Sequence, residues 1–249
     1  MGLCGKAVAV AAAAAGYTLG SISFARIIAR MVAPGKDVSK IECALPDSDE
    51  VFRSDSVSST AARIHLGTRY GCLTAILDIL KVALPTLAFK LWQPDVPYYL
   101  IVAAMGLVGH DWPVYHGFRG GRGESPIYGA LLVIDPLGVL VTNAVGSVLG
   151  IVVGHLLVLR WAGLVLMVPW LWFRTESWPH LAYILFANAV YWTTMSGELR
   201  QYVRLSRTGV DLSQEQIADL FAMGKPLGRL MDRFSLLALY KGRGKRRGG

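Results

Sequence analysis

The sequence predicts an all-α fold, a polytopic membrane bundle of about seven transmembrane helices with a short amphipathic, basic C-terminal tail. Three observations carry this reading. Of 249 residues, 53% are hydrophobic and only 17% charged, and the mean hydropathy of +0.44 exceeds what the core of a water-soluble domain requires. The apolar residues form long runs, and roughly 17–25 such residues are what a helix needs to cross a bilayer. The period-two alternation of a membrane barrel is absent from these runs, so the backbone must satisfy its own polar groups within helices.

The first helix is expected from Gly5 to Val32. Its opening, "VAVAAAAAG", is similar to a signal-peptide core, but the apolar character continues through "GYTLGSISFARIIARMVA" and points to a retained helix. A polar segment follows from Pro34 to Tyr70, with the hydroxyl-rich centre "SDSVSSTAAR". The second span, Gly71 to Trp92, carries Asp78 and Lys81 one turn apart, which should pair inside the bundle instead of facing lipid. "QPDVP" ends it.

A third span runs from Tyr98 to Val108 and gives way to the loop "GHDWPVYHGFRGGRGES", residues 109–125. Residues Pro126 to Leu159 are long enough for two helices, with the turn at Asp135-Pro136. Trp161 to Phe173 and Trp178 to Met195 make the sixth and seventh spans. With an odd number of crossings and a basic C-terminus held in the cytoplasm, the segments 34–70, 109–125 and 196 onward share the cytoplasmic face.

Beyond this transmembrane domain, residues 1–205, the tail of residues 206–249 has its own order. Ser213 with Gln216 reads as a capping box for a helix carrying Ile217, Leu220 and Phe221. Leu227, Leu230, Met231, Phe234 and Leu237 then recur at helical spacing, suited either to the membrane surface or to the protein's own cytoplasmic face. The final "KGRGKRRGG" has five basic residues and no acid, within a net charge of +8. Beside so many apolar spans, its partners are anionic membrane lipids and not nucleic acid, or it is a solvated tail that fixes topology. Cys4, Cys43 and Cys72 lack metal-ligand spacing and read as free thiols, so no cofactor is expected.

Chemistry is concentrated in the polar segments. Glycines between Phe118 and Gly123 permit close backbone approach, and Arg119 and Arg122 supply charge-assisted donors for a phosphate, although the spacing is not that of a Walker loop. Ser54, Ser56, Ser58, Ser59 and Thr60, with Arg63 behind them, form a second candidate anion cradle. His110, next to Asp111, is either an acid/base or phosphate-donating group or a cap on the third helix. His155 lies in an apolar stretch and is expected to be a packed core residue.

These motifs resemble the acyl-phosphate-dependent glycerol-3-phosphate acyltransferases of bacterial membranes. "GHDWPVYHGFRGGRG" is similar nearly position by position to that family's GHxFPxFLxFKGGKG, and "GSISFARIIAR", "DVSK" and "LGTRYGCLTAILDILK" are similar to its first-helix and second-helix motifs. The likeness covers residues 16 to 211 and implies transfer of a fatty acyl group from acyl phosphate to glycerol 3-phosphate, or a related phosphorylated acceptor, in phospholipid biosynthesis. It implies no metal or other cofactor, and a multi-pass protein of the bacterial inner (plasma) membrane with a cytoplasmic active site. Carried over by position, His110, Ser54 and Arg122 would be catalytic, and Thr60, Arg63, Arg119, Gly120, Gly121, Gly123, Ser147 and Arg204 would bind substrate. The family's GSGNxGATN loop falls on "RSDSVSSTA", where only Ser54 and Thr60 are retained, and Glu198 and Gln201 stand where the third motif has His and Asn. The alternative is a catalytically divergent homologue that binds lipid phosphate.

Overall fold

Helix breakers set most element boundaries in the computed structural model, which describes residues 2–44, 51–207, 213–221, 223 and 225–234. In chain order these are α1 (Leu3–Gly20), α2 (Phe24–Val32), β1 (Ile41–Ala44), β2 (Val51–Ser54), α3 (Ser59–Leu66), α4 (Thr68–Trp92), α5 (Tyr98–Asp111) and α6 (Glu124–Ile134). There follow α7 (Pro136–Val153), α8 (Leu156–Thr175), α9 (Trp178–Arg207), α10 (Gln214–Leu220) and α11 (Lys225–Phe234). Four segments are long and apolar enough to cross a membrane: Leu3–Val32, Thr68–Trp92, Pro136–Val153 and Leu156–Thr175. The protein is thus a multi-pass helical membrane protein. At 14 and 11 residues, α5 and α6 are shorter than a bilayer is thick.

Where a polar side chain can take over a backbone bond, the helices depart from the expected boundaries. The first helix is two pieces, because the chain turns between Ser21 and Ser23. That turn frees the Ile22 carbonyl, which accepts from Lys81 Nζ at 2.7 Å. Lys81 also pairs with Asp78 at 2.8 Å, both buried, as the one-turn spacing anticipated. The α6–α7 break falls at Asp135-Pro136 as expected. Asp135 caps α7 by accepting from Gly138 N at 2.9 Å, while its other oxygen accepts from Trp170 Nε1 and pairs with Arg174 Nε.

Three further expectations need correction. α8 begins at Leu156 instead of Trp161, because Gly154 ends α7 in the left-handed region, with φ at 73°. His155 is therefore no packed core residue: it is the N-cap of α8, its Nδ1 accepting from Leu157 N at 3.3 Å and its Nε2 meeting the Tyr202 hydroxyl at 3.2 Å. The polar segment after α2 also contains structure that a purely helical reading omits. β1 and β2 pair antiparallel with Ile41 opposite Ser54 and Ala44 opposite Val51. Alternation along β2 buries Phe52 and Ser54 and exposes Val51 and Arg53.

The described part of the tail packs against the protein. Ser213 and Gln216 form the expected capping box, with Ser213 N donating to Gln216 Oε1 at 2.7 Å and Gln216 N to Ser213 Oγ at 3.2 Å. Ile217, Ala218, Phe221 and Met231 join the main apolar core. The Phe221 ring sits edge-on to Phe52, Trp161 and Tyr202, with centroids 5.9, 5.9 and 6.1 Å away, and its carbonyl accepts from Arg160 Nη1 at 2.6 Å. Leu237 and the basic terminus lie outside the described residues. Phe221→Ala is expected to cost about 3–5 kcal/mol by leaving this aromatic box empty. Thermal unfolding in detergent measures it; a change below about 1 kcal/mol would instead indicate a tail that dissociates freely.

Candidate functional site

The end of β2, the loop before α6 and the later turns of α9 meet at Ser54, Arg122 and Glu198, which are 5%, 5% and 6% exposed. Ser54 Oγ is the hub. It donates to Glu198 Oε1 at 2.6 Å and accepts from Arg122 Nη2 at 3.0 Å and from Ser56 N at 3.3 Å. Arg122 Nε lies 2.8 Å from the same carboxylate oxygen. One turn further along α9, Gln201 clamps β2 by accepting from Arg53 N at 3.0 Å and donating to Arg53 O at 2.9 Å.

The glycine-rich loop rests on a buried polar cluster from α4 and α5. Gly121 N donates to the His110 carbonyl at 3.0 Å, and a methyl group on Gly121 would stand 2.0 Å from His110 Nε2. Only glycine fits over the imidazole. His110 Nδ1 is 2.9 Å from Lys81 Nζ and 3.7 Å from Asp78 Oδ1, so the ammonium donates to a neutral ring whose proton is then on Nε2. Both Asp111 carboxyl oxygens are buried without a hydrogen-bond partner beneath Gly123. Gly120 passes equally close to the backbone, where a Cβ would lie 2.1 Å from the His110 carbonyl oxygen. His110 thus supports the loop from below.

The hydroxyl-rich segment joins this loop directly, because Val57 N donates to Gly120 O at 2.9 Å. Around that junction Ser56 Oγ, Ser58 Oγ and Arg63 Nε are buried and make no hydrogen bond. Thr60 is in the first turn of α3, whose N-cap, Ser58, makes no side-chain capping bond. The first N–H groups of that helix have no intrahelical acceptor. Two hydroxyls, a guanidinium and a helix start thus lie within one short stretch, residues 56–63.

Other expected residues are placed differently. Arg119 is exposed, and its carbonyl accepts from Arg26 Nη2 at 2.7 Å. Gly123 precedes α6 with φ at 79°. Ser147 is half-buried on α7, where no hydrogen bond among the described residues links it to the Ser54 cluster. Arg204 is exposed, six residues and about 9 Å along α9 from Glu198. In the loop itself, burial, with Arg26 and Arg30 nearby, lowers the pKa of His116 below the usual imidazole value.

Glu198 and Gln201, which stand out in the sequence only as departures from the family's third motif, complete this cluster. A signal for Glu198 was available: it shares the buried stripe of α9 with Tyr191, Met195 and Leu205. A carboxylate on an apolar stripe demands a partner. A mostly apolar cleft of about 530 Å³ runs between α5 and α9, lined by residues including Tyr98, Ile101, Met105, Tyr183 and Phe186.

A family profile described as glycerol-3-phosphate acyltransferase matches residues 10–204, which include every residue of this cluster. The chain belongs to that family. Among curated relatives, the glycerol-3-phosphate acyltransferase of Halalkalibacterium halodurans is 30% identical over 63% of this chain and 74% of its own length. That of Aquifex aeolicus is 31% identical over 48% of this chain and 56% of its own. That of Allorhizobium ampelinum is 36% identical over 53% and 59%. The chain thus spans little more than half the length of several relatives it matches. The fold is similar to crystal structures of PlsY (YgiH), an integral membrane glycerol 3-phosphate acyltransferase. For its glycerol 3-phosphate form the TM-score is 0.63, with 24% identity, over 82% of this chain and 94% of that one. For the lysophosphatidic acid form the TM-score is 0.64, over 86% and 98%.

Proposed function

We propose that this membrane protein transfers a fatty acyl group from acyl phosphate to glycerol 3-phosphate, or a related phosphorylated acceptor, in phospholipid synthesis. The observation that carries this reading is the junction of Val57 with Gly120, around which Ser56, Ser58 and Arg63 present buried polar atoms without partners. A phosphate is the group that takes several hydroxyl and guanidinium donors and the start of a helix at once. Thr60 adds a further donor in the first turn of α3. Arg119 and Arg204 supply positive charge at the exposed rim.

The acyl chain is assigned to the cleft between α5 and α9. From Phe186 to Glu198 is twelve residues, about 18 Å along the helix, so a long hydrocarbon chain in the cleft can bring its carbonyl carbon to the polar cluster. An acyl phosphate is already activated, and catalysis then depends on positioning and on stabilising phosphate charge. Seven crossings, a bacterial inner-membrane location and a cytoplasmic site accord with the basic C-terminus, whose lysines and arginines would sit on anionic lipid.

The test is to incubate the purified protein with acyl phosphate and labelled glycerol 3-phosphate. Lysophosphatidate and inorganic phosphate are expected in equal amounts. Arg63→Ala is expected to raise KM for glycerol 3-phosphate about tenfold or more, the effect of losing a hydrogen bond to a charged group. No product, together with retained binding of lipid phosphate, would favour a catalytically divergent lipid-binding homologue.

A further inference from the structure

We propose that Glu198 is the general base of the reaction, taking the proton of the acceptor hydroxyl, and that its pairing with Arg122 makes this seat select an alcohol and not a phosphate. The inference rests on the acyltransferase reading above and assigns a role to a residue where the family's third motif has histidine.

Hydrogen-bond capacity decides the matter. Glu198 Oε1 is already engaged by Ser54 Oγ at 2.6 Å and Arg122 Nε at 2.8 Å. Its second oxygen, Oε2, is buried and receives no hydrogen bond, and neither Arg122 Nη1 nor Arg122 Nε, although Nε is ion-paired to Oε1, makes a hydrogen bond. Ser54 cannot serve Oε2 or Nη1. Its two lone pairs accept from Arg122 Nη2 and Ser56 N, and its one proton is committed to Glu198.

The missing partner must therefore donate to a carboxylate and accept from a guanidinium. A hydroxyl does both. A phosphate dianion only accepts, and it would meet Oε2 as a like charge. Because Arg122 and Glu198 cancel one another, an anion also gains little net charge stabilisation at this point. The phosphate of the acceptor is directed instead to the Ser56, Ser58 and Arg63 cradle, one hydrogen bond away through Ser56 N.

In the reaction the acceptor oxygen attacks the acyl carbonyl carbon while its proton passes to Glu198 Oε2. The ester C–O bond forms, and the C–O bond to the phosphate breaks, its electron pair leaving on the phosphate. Glu198 then returns the proton to the departing phosphate, so that alcohol and acyl phosphate give ester and hydrogen phosphate. Arg122 keeps its charge throughout and stabilises the oxygen that loses its proton.

Glu198 interacts electrostatically with Arg122 from the loop and Arg160 from α8, and both arginines also interact with Glu124 from α6 and Tyr191 from α9. The test compares kcat, KM and pH profiles for the full chain, Glu198→Gln and Glu198→Asp. Glu198→Gln should lower kcat by about 10²–10⁴, leave KM for glycerol 3-phosphate within about threefold, and abolish the acid limb of the kcat profile. Glu198→Asp should retain that limb at a lower plateau. A Gln variant with kcat within tenfold of wild type, or altered in KM alone, would overturn the assignment while leaving the acyltransferase reading intact. Should the Gln variant fail to fold, a wild-type or Asp profile lacking the acid limb overturns it equally. An inert wild type overturns both.

Discussion

Arg122→Met is expected to destabilise the protein by about 3–5 kcal/mol and to abolish acyl transfer, whereas Arg122→Met with Glu198→Leu should regain most of that stability and none of the activity. The single substitution strands a carboxylate that is 6% exposed without its directly paired counter-charge, and stranding a buried ion is far costlier than never having buried one. Replacing both partners by apolar side chains removes the unpaired charge. A residual cost of about 1 kcal/mol should persist, because Ser54 would lose the acceptor of its proton. Thermal or denaturant unfolding of the four proteins of the cycle gives the coupling directly. A double variant as unstable as the single one would show that the pair is not an isolated unit.

The second large effect belongs to the glycine-rich loop. Gly120→Ala is expected to eliminate activity and to cost more than about 3 kcal/mol, because its Cβ would fall 2.1 Å from a backbone oxygen that cannot swing aside. Gly121→Ala should be nearly as damaging, since the imidazole it would strike is held by Lys81. Gly117 provides the control. It is left-handed, at φ 60°, but a Cβ there meets nothing within 4 Å, so alanine should cost only about 1–2 kcal/mol and leave kcat within a fewfold of wild type. Equal activities for the three variants would remove the argument that close packing on His110 shapes the loop.

How far the molecule could be read from its residues varied with the range of the interaction. Asp135-Pro136, the Ser213–Gln216 cap and the Asp78–Lys81 pair are local, and each forms where its spacing indicated. The meeting of the segments that carry Ser54, Arg122 and the later part of α9 was legible as polar stretches on one side of an apolar bundle. The β1–β2 hairpin was not, because strands of four residues leave little periodicity and their order comes from Phe52 and Ser54 facing the helices. Nor was the break after Gly20, where the lost backbone bond is compensated by Lys81, 59 residues away. The carboxylate at Glu198 looked like a departure from a motif, and its meaning appears only with Arg122 and Ser54 alongside.

The pairing of Asp78 with Lys81 inside α4 bears on how the chain enters a bilayer. A single charge at the middle of a spanning helix costs about 2.5–3.5 kcal/mol during insertion. Because the two side chains are three residues apart on one helix and only 2.8 Å from each other, α4 carries its own counter-ion and can be handed to lipid before α5 is present. Contact with the Ile22 carbonyl of the preceding segment and the later arrival of His110 then convert this self-neutral pair into the fixed support of the glycine loop. Insertion and site assembly are served by the same two residues at different moments in the protein's biogenesis.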